Sequence, residues 1–209
     1  MGELIPFPRK RKWPEMYLRI WSDRLDRLTD YLGLVNARET EMSDLKSTHR
    51  KHAPSPDDSK TLIITRTLNA PRALVWKMFA DPYHLAQWWG PEGFTNRVEQ
   101  LDFRTGGSWR HVMIGPDGHE FPTDNVILDV TEPERIVYRT APADPKVFGD
   151  NPPPAFTKTV TFEEVGGKTL LTLLCTFDTE QHRDAVIRRG FSLGTNQSFD
   201  KLEDYLATL

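Results

Sequence analysis

A single cysteine, Cys175, is present in 209 residues. It excludes an intrachain disulfide, and it excludes a zinc or iron–sulfur site built from several cysteines of one subunit. Such cysteine usage fits a reducing compartment, and a cytoplasmic location is expected. No apolar run approaches the ~20 residues that span a bilayer, so no membrane span is expected. Met1–Phe7 is too short for the apolar core of a signal peptide, and the basic cluster Arg9-Lys10-Arg11-Lys12 follows it rather than precedes it. There is no Gly-rich phosphate loop, no His-x-x-x-His metal pair and no nucleophile elbow. Gly106-Gly107 is too short to cradle a phosphate. No catalytic residue, metal or cofactor is therefore assigned. The net charge of −3 gives no general attraction for nucleic acid, and the Arg9–Lys12 cluster reads as a solvated tail.

What is present is ordinary globular material. Hydrophobic residues make up 38% and charged residues 27%, too apolar for a disordered chain and too charged for a membrane protein. The charge is uneven. Residues 1–60 carry 12 Lys and Arg against 10 Asp and Glu, and residues 61–209 carry 15 against 20. The divide falls at Ala53-Pro54-Ser55-Pro56-Asp57-Asp58-Ser59, a stretch of turn and linker residues. The expected organisation is an N-terminal extension over 1–52, a linker over 53–60 and a main domain over 61–209.

In the extension, Leu18, Trp21, Leu25, Leu28, Leu32 and Val35 follow one another at spacings of 3 and 4. They form a narrow apolar seam on one helix over about residues 14–35, with Pro14 in its first turn. A seam this short needs a partner surface. That surface is either the rest of the chain or a second copy, a homodimer closed through Leu18, Trp21, Leu25, Leu28 and Leu32.

The main domain opens with the β-branched strand Thr61–Leu68. Asn69 and Pro71 suit the start of a helix over Arg72–Ala80, and Asp81-Pro82 restarts a shorter one over Tyr83–Trp89. Gly90-Pro91 stops it. Strands and turns follow. Strands are expected up to Phe103, over Ser108–Ile114, around Val126–Val130 and over Arg135–Thr140. A long Pro-rich connection, Ala141–Ala155, comes next. Phe156–Val165 and Lys168–Phe177 then make a hairpin across Gly166-Gly167. From Thr179 the chain reads as helix to Leu209, with Phe199, Leu202, Leu206 and Leu209 as its apolar stripe. The class is α+β: an antiparallel sheet must cover one face, and only the last helix is long enough to do it. A helix lying across a curved sheet leaves room for a cavity.

Several short motifs follow one another along the main domain. They are Ala70-Pro71, Val75-Trp76, Asp81-Pro82, Leu85-Ala86-Gln87-Trp88-Trp89-Gly90-Pro91, Gly106-Gly107-Ser108-Trp109, Gly115-Pro116-Asp117-Gly118, Pro133-Glu134-Arg135-Ile136-Val137-Tyr138 and Gly194-Thr195-Asn196-Gln197-Ser198-Phe199-Asp200-Lys201-Leu202. Together they resemble the bacterial homologues of the C-terminal domain of the heat-shock-protein-90 ATPase activator, within the START-like (SRPBCC, Bet v 1-like) superfamily. The resemblance covers nearly all of 61–209. It implies a helix-grip fold, a curved sheet around a long C-terminal helix with a hydrophobic pocket between them, and a link to the stress response. It does not imply one activity. Thr195 stands where relatives carry an aromatic, Asn125 where a glycine is common, and the Ala141–Ala155 connection is longer than usual and reads as a lid. Separately, Trp21–Leu32 resembles the C-terminal helix of ArsR-type winged-helix repressors, without their DNA-reading unit.

The candidate site is the lining of that pocket. Trp109, His111 and Met113 alternate along one strand and share a face. If the face is concave, His111 can bond a ligand or move a proton; otherwise it is a rim or outward histidine satisfied by a neighbour. Trp88, Phe103, Tyr138, Phe162, Phe191 and Thr195 complete the lining, though core packing would use the same residue types. Cys175, in an apolar run, reads as a buried inert thiol. The function expected is binding of a small hydrophobic or amphipathic molecule. A cyclase- or aromatase-type enzyme using the same pocket, or a module that binds and regulates a chaperone ATPase, are the alternatives; no surface motif points to the chaperone.

Overall fold

The structure is a computed structural model that describes residues 58–148 and 152–209. The expected helix at 14–35, its dimer seam, the ArsR-like segment and most of the linker lie outside the described residues.

A 3-10 turn, Asp58–Lys60, leads into seven strands: β1 Thr61–Leu68, β2 Thr95–Leu101, β3 Ser108–Ile114, β4 Glu120–Thr131, β5 Arg135–Thr140, β6 Thr157–Val165 and β7 Lys168–Thr176. They form one antiparallel sheet in the order β1-β7-β6-β5-β4-β3-β2. All neighbours but β1 and β7 are consecutive in sequence; short turns join them except between β5 and β6, where residues 141–156 intervene. Gly166 and Gly167 close the β6–β7 hairpin at φ of 58° and 77°. Two successive left-handed residues give the turn whose twist matches its strands, and glycine adopts that conformation without a Cβ penalty.

Period-2 burial shows which face is inward. On β7, Thr169, Leu171, Leu173 and Cys175 are buried. On β6, Lys158, Val160 and Phe162 are buried, and on β5, Ile136 and Tyr138. The register shifts between Val98 and Gln100 in β2, and again between Ile127 and Asp129 in β4. Such bulges bend a strand and increase its twist, which curls this end of the sheet. β4 runs for 12 residues, well beyond the expected Val126–Val130. Its Pro122 is tolerated because that stretch pairs only with β3; pairing with β5 begins at Asn125.

Helix α1 spans Arg72–Ala80 and α2 spans Pro82–Trp88. Pro71, not Asn69, occupies the position before α1, with no side-chain cap. Asp81 does cap α2, accepting the Tyr83 N–H at 2.9 Å. These helices deliver Trp76, Phe79, Leu85 and Trp88 to an aromatic core. Trp76 and Phe79 meet the Phe162 ring edge-on at 5.4 and 5.0 Å. The Pro-rich connection holds one helical turn, α3, Pro145–Phe148.

The helical run expected from Thr179 onward is two helices, α4 Glu180–Arg188 and α5 Phe191–Leu206. Gly190 separates them at φ 80°, ψ 20°, a left-handed conformation that ends one helix and redirects the next. Ser198, Phe199, Leu202 and Leu206 of α5 are buried, whereas Leu209 lies past the helix end and is exposed. Arg66 faces inward from edge strand β1 and holds α5, bonding the Asn196 carbonyl at 3.3 Å and Asp200 at 2.7 Å. The architecture is the α+β helix grip: a curved seven-stranded antiparallel sheet with a C-terminal helix against it.

Candidate functional site

Six adjacent strands contribute to a polar band across the inner face: Asn96 from β2, His111 from β3, Asn125 from β4, Thr140 from β5, Lys158 from β6 and Cys175 from β7; Thr169, farther along β7, is also buried and donates to the Ala70 carbonyl at 2.7 Å. Thr140 is half-buried and the others are buried. The sheet register aligns them. Asn125 is opposite Thr140, and Lys158 is opposite both Tyr138 and Cys175.

Hydrogen bonds run along this band in one direction. The Lys158 ammonium donates to Thr140 Oγ1, and the Thr140 hydroxyl donates to Asn125 Oδ1 at 3.0 Å. Asn125 Nδ2 donates in turn to the Trp109 carbonyl at 3.3 Å. His111 Nδ1 lies 2.9 Å from Asn96 Oδ1, which puts the ring proton on Nδ1 and leaves Nε2 as an acceptor. Lys158 Nζ also sits 4.2 Å from the centre of the Phe156 ring and 5.2 Å from that of Tyr138. These are cation–π distances.

The band is incompletely satisfied. Trp109 Nε1 and Asn96 Nδ2 are buried without a partner. Lys158 has three N–H donors and one hydrogen-bond acceptor, and among the described residues no ion pair includes it. Burial and the nearby Lys158 charge push His111 down to about 3, so the imidazole is neutral at pH 7. Burial brings the Lys158 amine down to about 8, which still leaves it mostly protonated at pH 7. Burial raises the Cys175 thiol to about 12, against the pull of Lys158, and it holds the Tyr138 phenol well above its usual range.

The sequence-derived candidates divide into two groups. Trp109, His111 and Tyr138 come together on the inner face: the Trp109 ring stacks on His111 at 4.8 Å and meets Tyr138 edge-on at 5.3 Å. The face is concave, so His111 is an interior residue rather than a rim or outward one, 3% exposed. Met113 is half-buried on the same strand, and Phe191 is half-buried against Phe156. Thr195 is half-buried one helical turn before Phe199. In contrast, Trp88 and Phe162 are core. Trp88 is fully buried and its Nε1 donates to the Met78 carbonyl at 3.1 Å. Phe103 packs edge-on against Trp76 and borders a void shared with Trp109 and Tyr138. That void measures about 10 Å³, room for roughly one water. Sequence reasoning missed Lys158, Asn125, Thr140 and Asn96. The available signal was the alternation Lys158, Val160, Phe162, which puts a lysine on an otherwise apolar face.

The inner face is sealed unevenly. Phe191–Gln197, the first two turns of α5, are half-buried throughout, whereas Ser198 and Phe199 are buried. A separate open groove of about 560 Å³ runs between Pro152–Ala155 and α4, bordered by Arg139, Asp178, His182 and Arg189. Among the described residues no helix is long and apolar enough to cross a membrane, and no cluster of three or more metal-ligating side chains occurs.

Residues 69–207 match the family model for Activator of Hsp90 ATPase homolog 1-like protein. A crystal structure of a protein from Mycobacterium smegmatis is 30% identical, with a TM-score of 0.65, covering 77% of this chain and 98% of its own. A solution structure from Arthrobacter aurescens is 22% identical at TM-score 0.67, covering 76% and 92%. An AHSA1 protein from Silicibacter pomeroyi is 22% identical at TM-score 0.58, covering 71% and 98%. The last two speak to the fold alone. No functionally curated protein matches the chain.

Proposed function

Because the chain belongs to the family of Activator of Hsp90 ATPase homolog 1-like proteins, a group built on a fold suited to ligand binding or regulation, we propose that it binds a small amphipathic molecule on the inner face, between β3–β6 and the first two turns of α5. One observation carries this reading: the inner face holds a band of buried polar groups with unspent donors. A face that had only to be a core would be apolar, since each unsatisfied buried polar group costs about 1–3 kcal/mol. Groups retained at such a cost mark a place where a ligand completes the bonding. Trp109, Tyr138, Phe156 and Phe191 supply the apolar walls, at ~25 cal/mol per Å² of ligand area removed from water.

Entry requires the seal over this face to move. The half-buried start of α5 is the element suited to it, because Gly190 gives a hinge and Gly194 adds no side chain to hold it down. Thr195 is half-buried one turn before the buried Phe199 of α5, so a phenylalanine there adds bulk on the side of the helix that carries Phe199.

Native mass spectrometry of the full chain, purified without detergent, tests the reading. The expected spectrum shows an excess of a few hundred daltons that is released on denaturation and is absent from Thr195→Phe. A bare subunit mass, together with no calorimetric binding of decanol or decanoate, would overturn it.

A further inference from the structure

Lys158 is the one ammonium among the described residues that is buried on the inner face, and the structure supplies no acid to meet it. It is 7% exposed, and its environment consists of the Thr140 hydroxyl, the Tyr138 and Phe156 rings and the Cys175 thiol. No carboxylate contributes to the field at its amine. The thiol stays protonated, with its pKa at about 12, and so cannot serve as a counter-ion at neutral pH. A buried charge in a folded chain is ordinarily paired. The acidic residues of β5 and β6, Glu163 and Glu164, are exposed and lie at the far end of β6.

The geometry around the amine is preorganised for an acceptor. The Thr140 hydroxyl has committed its proton to Asn125 and accepts one Lys158 N–H. The other two Lys158 donors have no hydrogen-bond acceptor among the described residues. The Tyr138 ring lies 5.2 Å from Nζ, and Trp109, with its unpartnered Nε1, meets that same ring at 5.3 Å. The nearest basic neighbour on the band, His111, is neutral at pH 7 and adds no second positive charge.

We infer that the molecule bound on the inner face is a monoanionic amphiphile, its carboxylate paired with Lys158 and its apolar body lying against Trp109, Tyr138, Phe156 and Phe191. One cation with spare donors matches one negative charge. A dianionic phosphate monoester would leave a charge unmatched in an apolar surround, so carboxylates are selected over phosphates. This inference rests on the proposed ligand-binding role and specifies its ligand class.

The test is isothermal titration calorimetry of the full chain at pH 7 with decanoate, decanol and decyl phosphate, for the natural sequence and for Lys158→Met and Lys158→Gln. Decanoate is expected to bind the natural sequence at least tenfold more tightly than decanol, and decyl phosphate to bind more weakly than decanoate. Both variants should lose tenfold or more for decanoate and keep their decanol affinity, which also shows that fold and pocket survive. Equal affinity for decanoate and decanol in the natural sequence, or a decanoate affinity that the two variants leave unchanged, overturns the Lys158 pairing while leaving ligand binding intact. Preference for decyl phosphate overturns the monoanion. No binding of any probe overturns the inference together with the reading beneath it.

Discussion

His111→Gln should remove a large part of the protein's sensitivity to mild acid. In the fold the imidazole is held at about 3, against an ordinary 6.5, by burial and by the Lys158 charge. The sign follows from proton counting. Between these two values the unfolded chain binds a proton that the folded chain refuses, so stability is full above pH 6.5 and falls as pH drops toward 3. At pH 5 the loss from this one residue is about 1.5 pH units at 1.36 kcal/mol each, or ~2 kcal/mol. Against a typical total of 5–15 kcal/mol, that is a large share.

Glutamine keeps a polar group near Asn96 but carries no titrating proton. It also loses the ring stacked on Trp109 at 4.8 Å and the edge contact with Trp89 at 5.9 Å. At pH 7 the variant should therefore be less stable by about 1–2 kcal/mol. Urea unfolding followed by tryptophan fluorescence at pH 7, 6 and 5 gives both stabilities. Every other acid and histidine titrates in both proteins and cancels in the difference. The deficit of the variant should shrink by ~2 kcal/mol from pH 7 to pH 5, so the two curves meet near pH 5. A difference constant within ~0.5 kcal/mol would show that His111 accepts a proton inside the fold, and would refute the closed, dry surround assigned to it.

Three further outcomes are expected. Lys158→Met should raise stability at pH 7 by about 1–3 kcal/mol, because it removes a buried charge held from 10.5 down to about 8; the advantage should narrow as pH rises above 8, where the folded amine sheds its proton before the unfolded one, and a variant less stable at pH 7 by urea unfolding would contradict it. Gly107→Ala should lose at least about 2 kcal/mol of unfolding free energy, since a Cβ there would come within 2.0 Å of the Asp102 carbonyl oxygen; a loss under ~0.5 kcal/mol would show that the Phe103–Ser108 turn yields. Arg66→Ala should cost only ~1 kcal/mol overall, because its pair with Asp200 is partly solvated, yet speed amide hydrogen exchange in α5 more than in β6 and β7; uniform exchange would deny it an anchoring role.

Much of the fold was legible from local chemistry. β5, β6 and β7 declared themselves through β-branched alternation and the Gly166-Gly167 turn, and α1 and α2 through Asp81-Pro82 and the apolar spacing of Val75, Met78 and Phe79. Two features were not local. The break at Gly190 lies inside a helix-forming stretch, and whether a glycine is tolerated or becomes a left-handed cap depends on what the following helix must cover. The N-terminal half of β4 contains Pro122, which argues against a strand until β5 is known to begin its pairing only at Asn125. The site was legible in its aromatic members, since Trp109 and Tyr138 sit at positions of even parity on plain strands. Its polar members were not. Asn125, Thr140 and Lys158 lie on three different strands, and only the sheet register brings them into one chain of hydrogen bonds.

That register also explains why the band can exist inside a core. Five of the six strands set a large apolar side chain next to their member of the band: Trp109 beside His111, Ile127 after Asn125, Tyr138 before Thr140, Val160 after Lys158, Leu173 before Cys175. The cost is thereby confined to one line across the sheet. The aromatic cluster of Trp76, Phe79, Trp88 and Phe162 packs beside that line, with Phe79 bordering the same small void as Trp109 and Tyr138. A substitution in that cluster should act on stability above all, whereas Lys158→Met should raise stability and weaken decanoate binding. Lys158 is where stability and the proposed recognition conflict most directly: the buried charge that costs folding is the group that would pair with an acid under the proposal above.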